Sequence, residues 1–157
     1  MLPNGVRDRS WMQYALDLAR KAESEGEVPV GAVVVRDGAL LGRGWNQNIL
    51  RNDPSAHAEI IAMRDAGNTL GNHRLRDCTL YVTLEPCSMC VGAMIHARLA
   101  RIVFAADDPK TGAMGGRFDL LRQPCHNHLP LVEGGCRGDE SAALLKGFFQ
   151  PKRIKGD

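Results

Sequence analysis

The chain has little excess charge of either sign: twenty Lys and Arg against eighteen Asp and Glu leave 157 residues with a net charge of +2. A balance that small does not by itself announce a nucleic-acid-binding protein. The one basic cluster, Lys146, Lys152, Arg153 and Lys155, lies toward the C-terminal end and on charge alone reads equally well as a solvated tail. No apolar run approaches the ~20 residues that a membrane-spanning helix needs, and no signal-peptide pattern opens the sequence. Membrane and secreted classes are therefore not expected. Five cysteines is an odd number, ill suited to a disulfide framework, so a reducing cytoplasm is the expected setting. Internal repeats, low-complexity tracts and domain boundaries are also missing. Residues 1–157 are expected to form one domain, long enough to bury a real core.

What the chain does have is concentrated in two short stretches, His57-Ala58-Glu59 and Pro86-Cys87-Ser88-Met89-Cys90. They supply one imidazole, two thiols and a carboxylate, the side chains of a catalytic zinc site with three protein ligands, an open fourth position and an acid/base beside it. Cys87 and Cys90 are three apart, which on a helix places them on one face. Pro86 suits the start of that helix, where its missing N–H costs nothing. Thiols at a helix N-terminus feel its positive end and ionise more easily. His57 and Glu59 are only two apart, so if His57 opens a helix and faces the metal, Glu59 is better placed as proton carrier than as a fourth ligand. A structural zinc site would fill all four positions.

This arrangement, H-x-E followed by P-C-x-x-C, is the signature of zinc deaminases that act on nucleobases. The wider sequence resembles the bacterial tRNA adenosine deaminases of the cytidine/deoxycytidylate deaminase superfamily. The resemblance is carried by Ala56 to Ile60, Thr83 to His96, Arg101 to Phe104 and Asp108 to Ala113, and spans about Trp11 to Phe149. It implies a three-layer α/β/α fold with a five-stranded mixed sheet, and one Zn²⁺ per subunit held by His57, Cys87 and Cys90. It implies Glu59 as the catalytic proton carrier and hydrolysis of adenosine to inosine at the wobble position of a tRNA anticodon. The partners that follow are the anticodon stem-loop and a second copy of the chain, as a homodimer. Substrate contacts carried over are Asn46 to the nucleoside, Asp108 to a sugar hydroxyl and Phe149 to a base or to the core. Val28, Val30 and Leu84 are expected to line an apolar slot, with backbone hydrogen bonds from around Ala58 and Pro86. Asp107 departs from the family, whose best-known bacterial sequences carry a basic residue there.

In chain order, residues 1–9 hold Pro3, Asn4 and Gly5 without an apolar period and are expected to be a mobile leader. Ser10 then reads as N-cap to an amphipathic helix built on Trp11, Ala15, Leu18, Ala19 and Ala22 and ending near Gly26. Val28 to Val35, Asp37-Gly38 and Ala39 to Trp45 make a hairpin. A helix is expected from His57 to Gly67, a strand over Thr79 to Leu84, a helix over Cys87 to Ala97 and a strand over Arg101 to Ala105. A short fifth strand over Leu131 to Glu133, a closing helix over Asp139 to Phe149 and a basic tail over 150–157 complete the order. The alternation of strands and helices argues for an α/β domain with both sheet faces covered. The segment between Ala106 and Pro130 is long for a loop in a compact domain, and such loops tend to be functional or disordered. Cys125, His126, His128 and Cys136 fit no strong zinc spacing, and Cys78 reads as a small buried hydrophobe. The rival functions are a deaminase of a free base or nucleotide (guanine, cytidine, deoxycytidylate), an RNA-binding subunit with structural zinc, and a zinc-stabilised assembly module.

Overall fold

The computed structural model describes residues 4–154. The β-branched run Gly31–Arg36 forms β1, and Ala39–Trp45 returns beside it as β2. Asp37 and Gly38 between them both take positive φ, 52° and 75°, as a two-residue hairpin turn requires. Thr79–Leu84 (β3), Arg101–Ala106 (β4) and Leu131–Gly134 (β5) complete a five-stranded sheet in the order β2-β1-β3-β4-β5. The pairings β1–β2 and β1–β3 are antiparallel, whereas β3–β4 and β4–β5 are parallel, so the sheet is mixed.

Four helices flank it: α1 (Asn4–Ser24), α2 (Ala58–Leu70), α3 (Ser88–Ala97) and α4 (Gly138–Ile154). Alternate strand residues face opposite layers, as the two-residue period demands. Val33, Val35, Tyr81 and Val103 pack against Met12, Ala15 and Leu16 of α1. Val34, Leu80, Val82 and Ile102 pack on the other face against Ala62 and Ala66 of α2 and Met94 of α3. Helix α4 packs on β4 and β3 and touches α1. The fold is the expected three-layer α/β/α arrangement. Among the described residues no helix is long and apolar enough to cross a membrane.

Helix α2 lies unusually close to β2. A Cβ on Gly42 would collide with the backbone of Ala62 and Ala66, and one on Gly44 with that of Ala58 and Ala62. Small residues on both surfaces, the two glycines against Ala58, Ala62 and Ala66, let backbone rest on backbone. This contact fixes the height at which α2 begins, and the functional residues sit at that beginning.

Several boundaries differ from the sequence expectation. Helix α1 starts at Asn4, so residues 4–9 are helix rather than leader and Ser10 is interior rather than an N-cap. The reason is Asp8, which is buried and accepts hydrogen bonds from Tyr81 Oη (2.8 Å) and both terminal nitrogens of Arg101 (2.9 and 2.5 Å). That tertiary anchor holds a turn with no apolar period of its own. Trp11 is only half-buried, and Met12, Ala15, Leu16 and Ala19 carry the core. Helix α2 continues past Gly67 to Leu70 and is closed by Gly71 at φ 67°. Pro86 precedes the N-cap of α3 instead of opening the helix. Helix α4 continues through the first residues of the expected tail to Ile154. Residues 1–3 and 155–157 lie outside the described residues, as do the side chains of Lys152 and Arg153.

Burial pushes the Asp8 carboxyl upward, but hydrogen bonds from Arg101 and Tyr81 and the charges of Arg101 and Arg7 outweigh it and hold it below the usual range. Asp8→Asn is expected to destabilise the fold at pH 7 by about 1–3 kcal/mol, the range for a lost charge-assisted hydrogen-bond set. A depressed folded-state pKa stabilises above the unfolded value of about 3.9 and is lost as the pH falls through the lowered value. Urea titrations of both proteins between pH 7 and pH 3 should therefore show the gap narrowing on acidification; a constant gap would refute the assignment.

Candidate active site

Helices α2 and α3 both begin with a metal-type side chain in the N-cap position. His57 (φ −72°, ψ 153°) precedes α2 and Cys87 (φ −79°, ψ 174°) precedes α3, each in extended conformation. Neither side chain caps its helix. Both turn instead toward Cys90, one turn into α3. His57 Nδ1 is 3.6 Å from Cys87 Sγ and 3.5 Å from Cys90 Sγ, and the three ligand atoms all lie within 4.8 Å of one another. Donors around a tetrahedral zinc, with Zn–S of about 2.3 Å and Zn–N of about 2.0–2.1 Å, are separated by about 3.5–3.8 Å. The cluster fits the ion in spacing and in donor chemistry. It is also the one such grouping of His, Cys, Asp or Glu among the described residues.

The electrostatics of the metal-free cluster point the same way. A hydrogen bond from Cys90 pulls the Cys87 thiol down to about 4, with His57 helping. The Cys90 thiol is pushed up, first by that same bond to Cys87 and then by burial. His57 is raised by its hydrogen bond with Cys87. Two thiols and an imidazole packed together hold protons that a divalent cation would displace. Glu59 is 4% exposed, and burial raises its carboxyl above the ordinary range. A carboxyl so placed holds a proton more tightly than a solvent-exposed one, which suits a proton carrier.

The cluster opens onto a cavity of about 720 Å³. His57, Glu59 and Cys87 form its floor, and Val28, Val30 and Leu84 are among its apolar lining. Asn46, Asp108 and Phe149 also line it, so six of the eight residues proposed for substrate contact meet in one place. Ala58 and Pro86 do not. The Ala58 N–H, at the start of α2, donates to Asn46 Oδ1 at 2.8 Å, and the Pro86 carbonyl accepts from Ala113 N at 2.9 Å. With Oδ1 engaged, Asn46 has its Nδ2 amide as the remaining polar group. Phe149 is 41% exposed and meets Phe148 edge-on at 5.2 Å, so it stands at the rim rather than in the core.

Sequence reasoning gave no contact role to six lining residues, Asn48, Glu85, Asp107, Lys110, Thr111 and Leu145, and missed what the buried Glu27 and Glu85 support. Glu27, 2% exposed, accepts from the N–H groups of Ile49 and Leu50 at 3.1 and 2.8 Å. Glu85, 3% exposed, accepts from those of Asp108, Met114 and Gly116 at 3.0, 2.9 and 2.8 Å. A glutamate at the edge of an apolar strand, just before Pro-Cys, is the signal that could have revealed the second. Asp108 turns its carboxylate into its own loop, accepting from Lys110 N, Thr111 N and Thr111 Oγ1. Asp107 lines the cavity and is exposed. Of the remaining cysteine and histidine residues, Cys78 is buried, His126 Nε2 meets Leu120 O at 2.8 Å and His128 Nε2 meets Leu99 O at 2.7 Å.

Residues 6–106 match the family model of the cytidine and deoxycytidylate deaminase zinc-binding region. A tRNA-specific adenosine deaminase of Haemophilus influenzae is 50% identical over 147 residues, covering 93% of this chain and 85% of that protein. Among solved structures, one from a study of A-to-I editing by tRNA:A34 deaminases at the wobble position of transfer RNA superposes with a TM-score of 0.83. It is 43% identical and the match covers 87% of this chain and 99% of that one. A guanine deaminase of Nitrosomonas europaea superposes with a TM-score of 0.76 at 30% identity, covering 89% and 83% of the two chains.

Zinc binding is expected to weaken as the pH is lowered, because the raised Cys90 thiol and the imidazole must both give up protons to become ligands. Competition with a chromogenic chelator at pH 8 and pH 6 measures this. Cys90→Ala should lose the metal, whereas Glu59→Gln should retain a full complement; metal loss in the Gln variant would make Glu59 a ligand.

Proposed function

The chain belongs to the tRNA-specific adenosine deaminases, within the zinc-binding cytidine and deoxycytidylate deaminase family, and from that membership we propose how it acts. Its reaction is hydrolytic deamination of adenosine to inosine at the wobble position of a tRNA anticodon, with release of ammonia. The observation that carries the mechanism is the juxtaposition of three donors at zinc spacing with a buried carboxyl, of which His57, Cys87 and Glu59 line one largely apolar cavity and Cys90 lies buried behind them.

One zinc per subunit, held by His57, Cys87 and Cys90, would supply the Lewis acidity that makes water nucleophilic near neutral pH. Glu59 takes the first proton of the attacking water and gives it to ring N1. It then carries the second, from the new C6 hydroxyl, to the amine, so that the C6–N bond breaks, C6=O forms and ammonia leaves. Its raised proton affinity suits both halves of that transfer, which is typically worth about 10²–10⁴ in rate. Adenine reaches this depth only when swung out of its stack, which favours a single-stranded loop as substrate. Val28, Val30 and Leu84 then enclose the purine. Asn46 offers Nδ2 to the nucleoside in place of the Ala58 N–H, which Asn46 itself occupies. Phe149 offers a flat apolar face to a neighbouring base, and Asp108 an acceptor edge to a sugar hydroxyl. The enzyme works in the cytoplasm, where its tRNA is.

We assign the homodimer to the outer groove between α2 and α3, where Ile60, Met63, Ala93 and His96 contribute to the lining. Met89 is 39% exposed on the same helix, and the missing side chain of Gly92 faces open space. Light scattering on the eluted protein should give twice the 17.1 kDa chain mass. A bulky Gly92→Arg change should halve it.

The activity test offers zinc-loaded protein a tRNA with adenosine at the wobble position, and free guanine and cytidine alongside. Inosine confined to the anticodon, reduced by about 10²–10⁴ in Glu59→Ala, is expected. Ammonia from a free base with the tRNA untouched would instead select the guanine- or cytidine-type reaction.

A further inference from the structure

The rim of the cavity is built from a loop, residues 107–118, whose turns are closed by bonds such as Gly112 N–H to Asp108 O and Arg117 N–H to Gly112 O, and whose middle is anchored by Ala113, buried against Val91 and Ile95. It contributes Asp107, Asp108, Lys110 and Thr111 to the lining, and much of it is exposed. Three further amides, at both ends of its turns, are gathered around one side chain. Glu85 Oε1 accepts the Asp108 N–H, and Oε2 accepts those of Met114 and Gly116. The loop closes on this carboxylate so tightly that a Cβ at Gly112 or Gly116 would collide with it. Glu85 itself is fixed from behind, because its N–H donates to Ala106 O at 2.8 Å, at the end of the β3–β4 pairing. Its side chain touches the loop and its backbone belongs to the sheet, so it ties the mobile kind of structure to the rigid kind.

We propose that Glu85 is a positioning residue for the substrate: its carboxylate holds the 107–118 loop, and through the Asp108 N–H sets where that rim meets the RNA. The inference rests on the RNA-deaminating function given above. Glu85 has no part in the proton transfer, which belongs to Glu59. A carboxylate is required because its two oxygens must face three donors and carry none of their own.

Glu85→Gln makes the prediction specific. The amide has one oxygen, which keeps most bonds by facing Met114 and Gly116. Its NH₂ then points at the Asp108 N–H, and that one bond is lost. Amide exchange followed by NMR on the zinc-loaded protein should show Asp108 exchanging at least about tenfold faster, the loss expected for one charge-assisted bond, with Met114 and Gly116 less affected. Zinc content should be unchanged. With an anticodon stem-loop as substrate, KM should rise by about tenfold while kcat stays within about threefold, the pattern of lost binding that does not alter the chemical step. Gly116→Ala, whose Cβ would meet both this carboxylate and the Asp108 carbonyl, should raise KM as well.

Unchanged exchange at Asp108 in Glu85→Gln would overturn the proposal, as would loss of zinc or a fall in kcat with KM constant. Failure of the wild-type protein to deaminate the stem-loop would overturn the proposed function, while the exchange measurement would still decide whether Glu85 holds the loop.

Discussion

The structure depends on the meeting of two helix starts at one edge of the sheet. His57 and Cys87 occupy the N-cap positions of α2 and α3, and Cys90 lies one turn further on. Each N-cap gives up a side-chain hydrogen bond to its own helix, a sacrifice of about 1 kcal/mol in an ordinary helix. What replaces it is a cluster of donors set in the positive field of two helix dipoles, where thiolates are favoured. Asn46 compensates in part, since its Oδ1 satisfies the Ala58 N–H at the start of α2. The arrangement therefore needs the end of β2, the start of α2 and the start of α3 in register to within a hydrogen-bond length.

That register is set by shape rather than by polar chemistry. Gly42 and Gly44 on β2 let the backbone of α2 lie directly on the strand, with alanines facing them. Larger side chains at either glycine would lift α2 and carry His57 and Glu59 with it. On the other side, Val82 and Leu80 in β3 and Met94 in α3 share one core with α2, so the Cys-bearing helix is packed against the same reference surface. The rims of the cavity are held differently, by buried carboxylates that collect backbone N–H groups. Glu27 does this for Ile49 and Leu50, and Glu85 for Asp108, Met114 and Gly116. Core packing thus places the metal ligands, while hydrogen bonding from inside the fold places the rims.

Much of this was legible in the sequence, and the reasons differ by feature. The grouping of His57, Cys87 and Cys90 beside Glu59 could be read from the sequence because zinc chemistry needs rare residue types at fixed spacing, and two helical starts impose that spacing locally. The hairpin at Asp37-Gly38 and the strand–helix alternation were legible for the same reason, being local. The start of α1 was not, because Asn4 to Arg9 has no apolar period; Asp8 is held there by Arg101 and Tyr81, more than seventy residues away in sequence. The bond between Asn46 and Ala58 was likewise invisible, since it joins a strand end to a helix start across a loop. Glu85 stood inside the motif that was read for its cysteines. Its role depends on where three amides of a later loop come to rest, which no spacing rule encodes.

The charge around the cavity mouth follows from the same geometry. Asp108 turns its carboxylate into the turn formed by Lys110 and Thr111, and Glu85 and Glu27 are buried against backbone donors, so these three acids project little field toward a ligand. Asp107 is the exposed acid on that rim, with Lys110 as the cation beside it in the lining. Among the described residues Lys110 is the one lysine or arginine in the lining, while α4, which lends Leu145 and Phe149 to it, carries Lys146, Lys152 and Arg153 in its sequence. Under the proposed function, discrimination falls to the interior: an apolar slot of Val28, Val30 and Leu84, the Asn46 amide, and a Glu59 buried so that a base leaves its stack to reach it. Buried Glu27 and Glu85, each collecting backbone N–H groups from a neighbouring loop, keep the surroundings of that interior in shape from within.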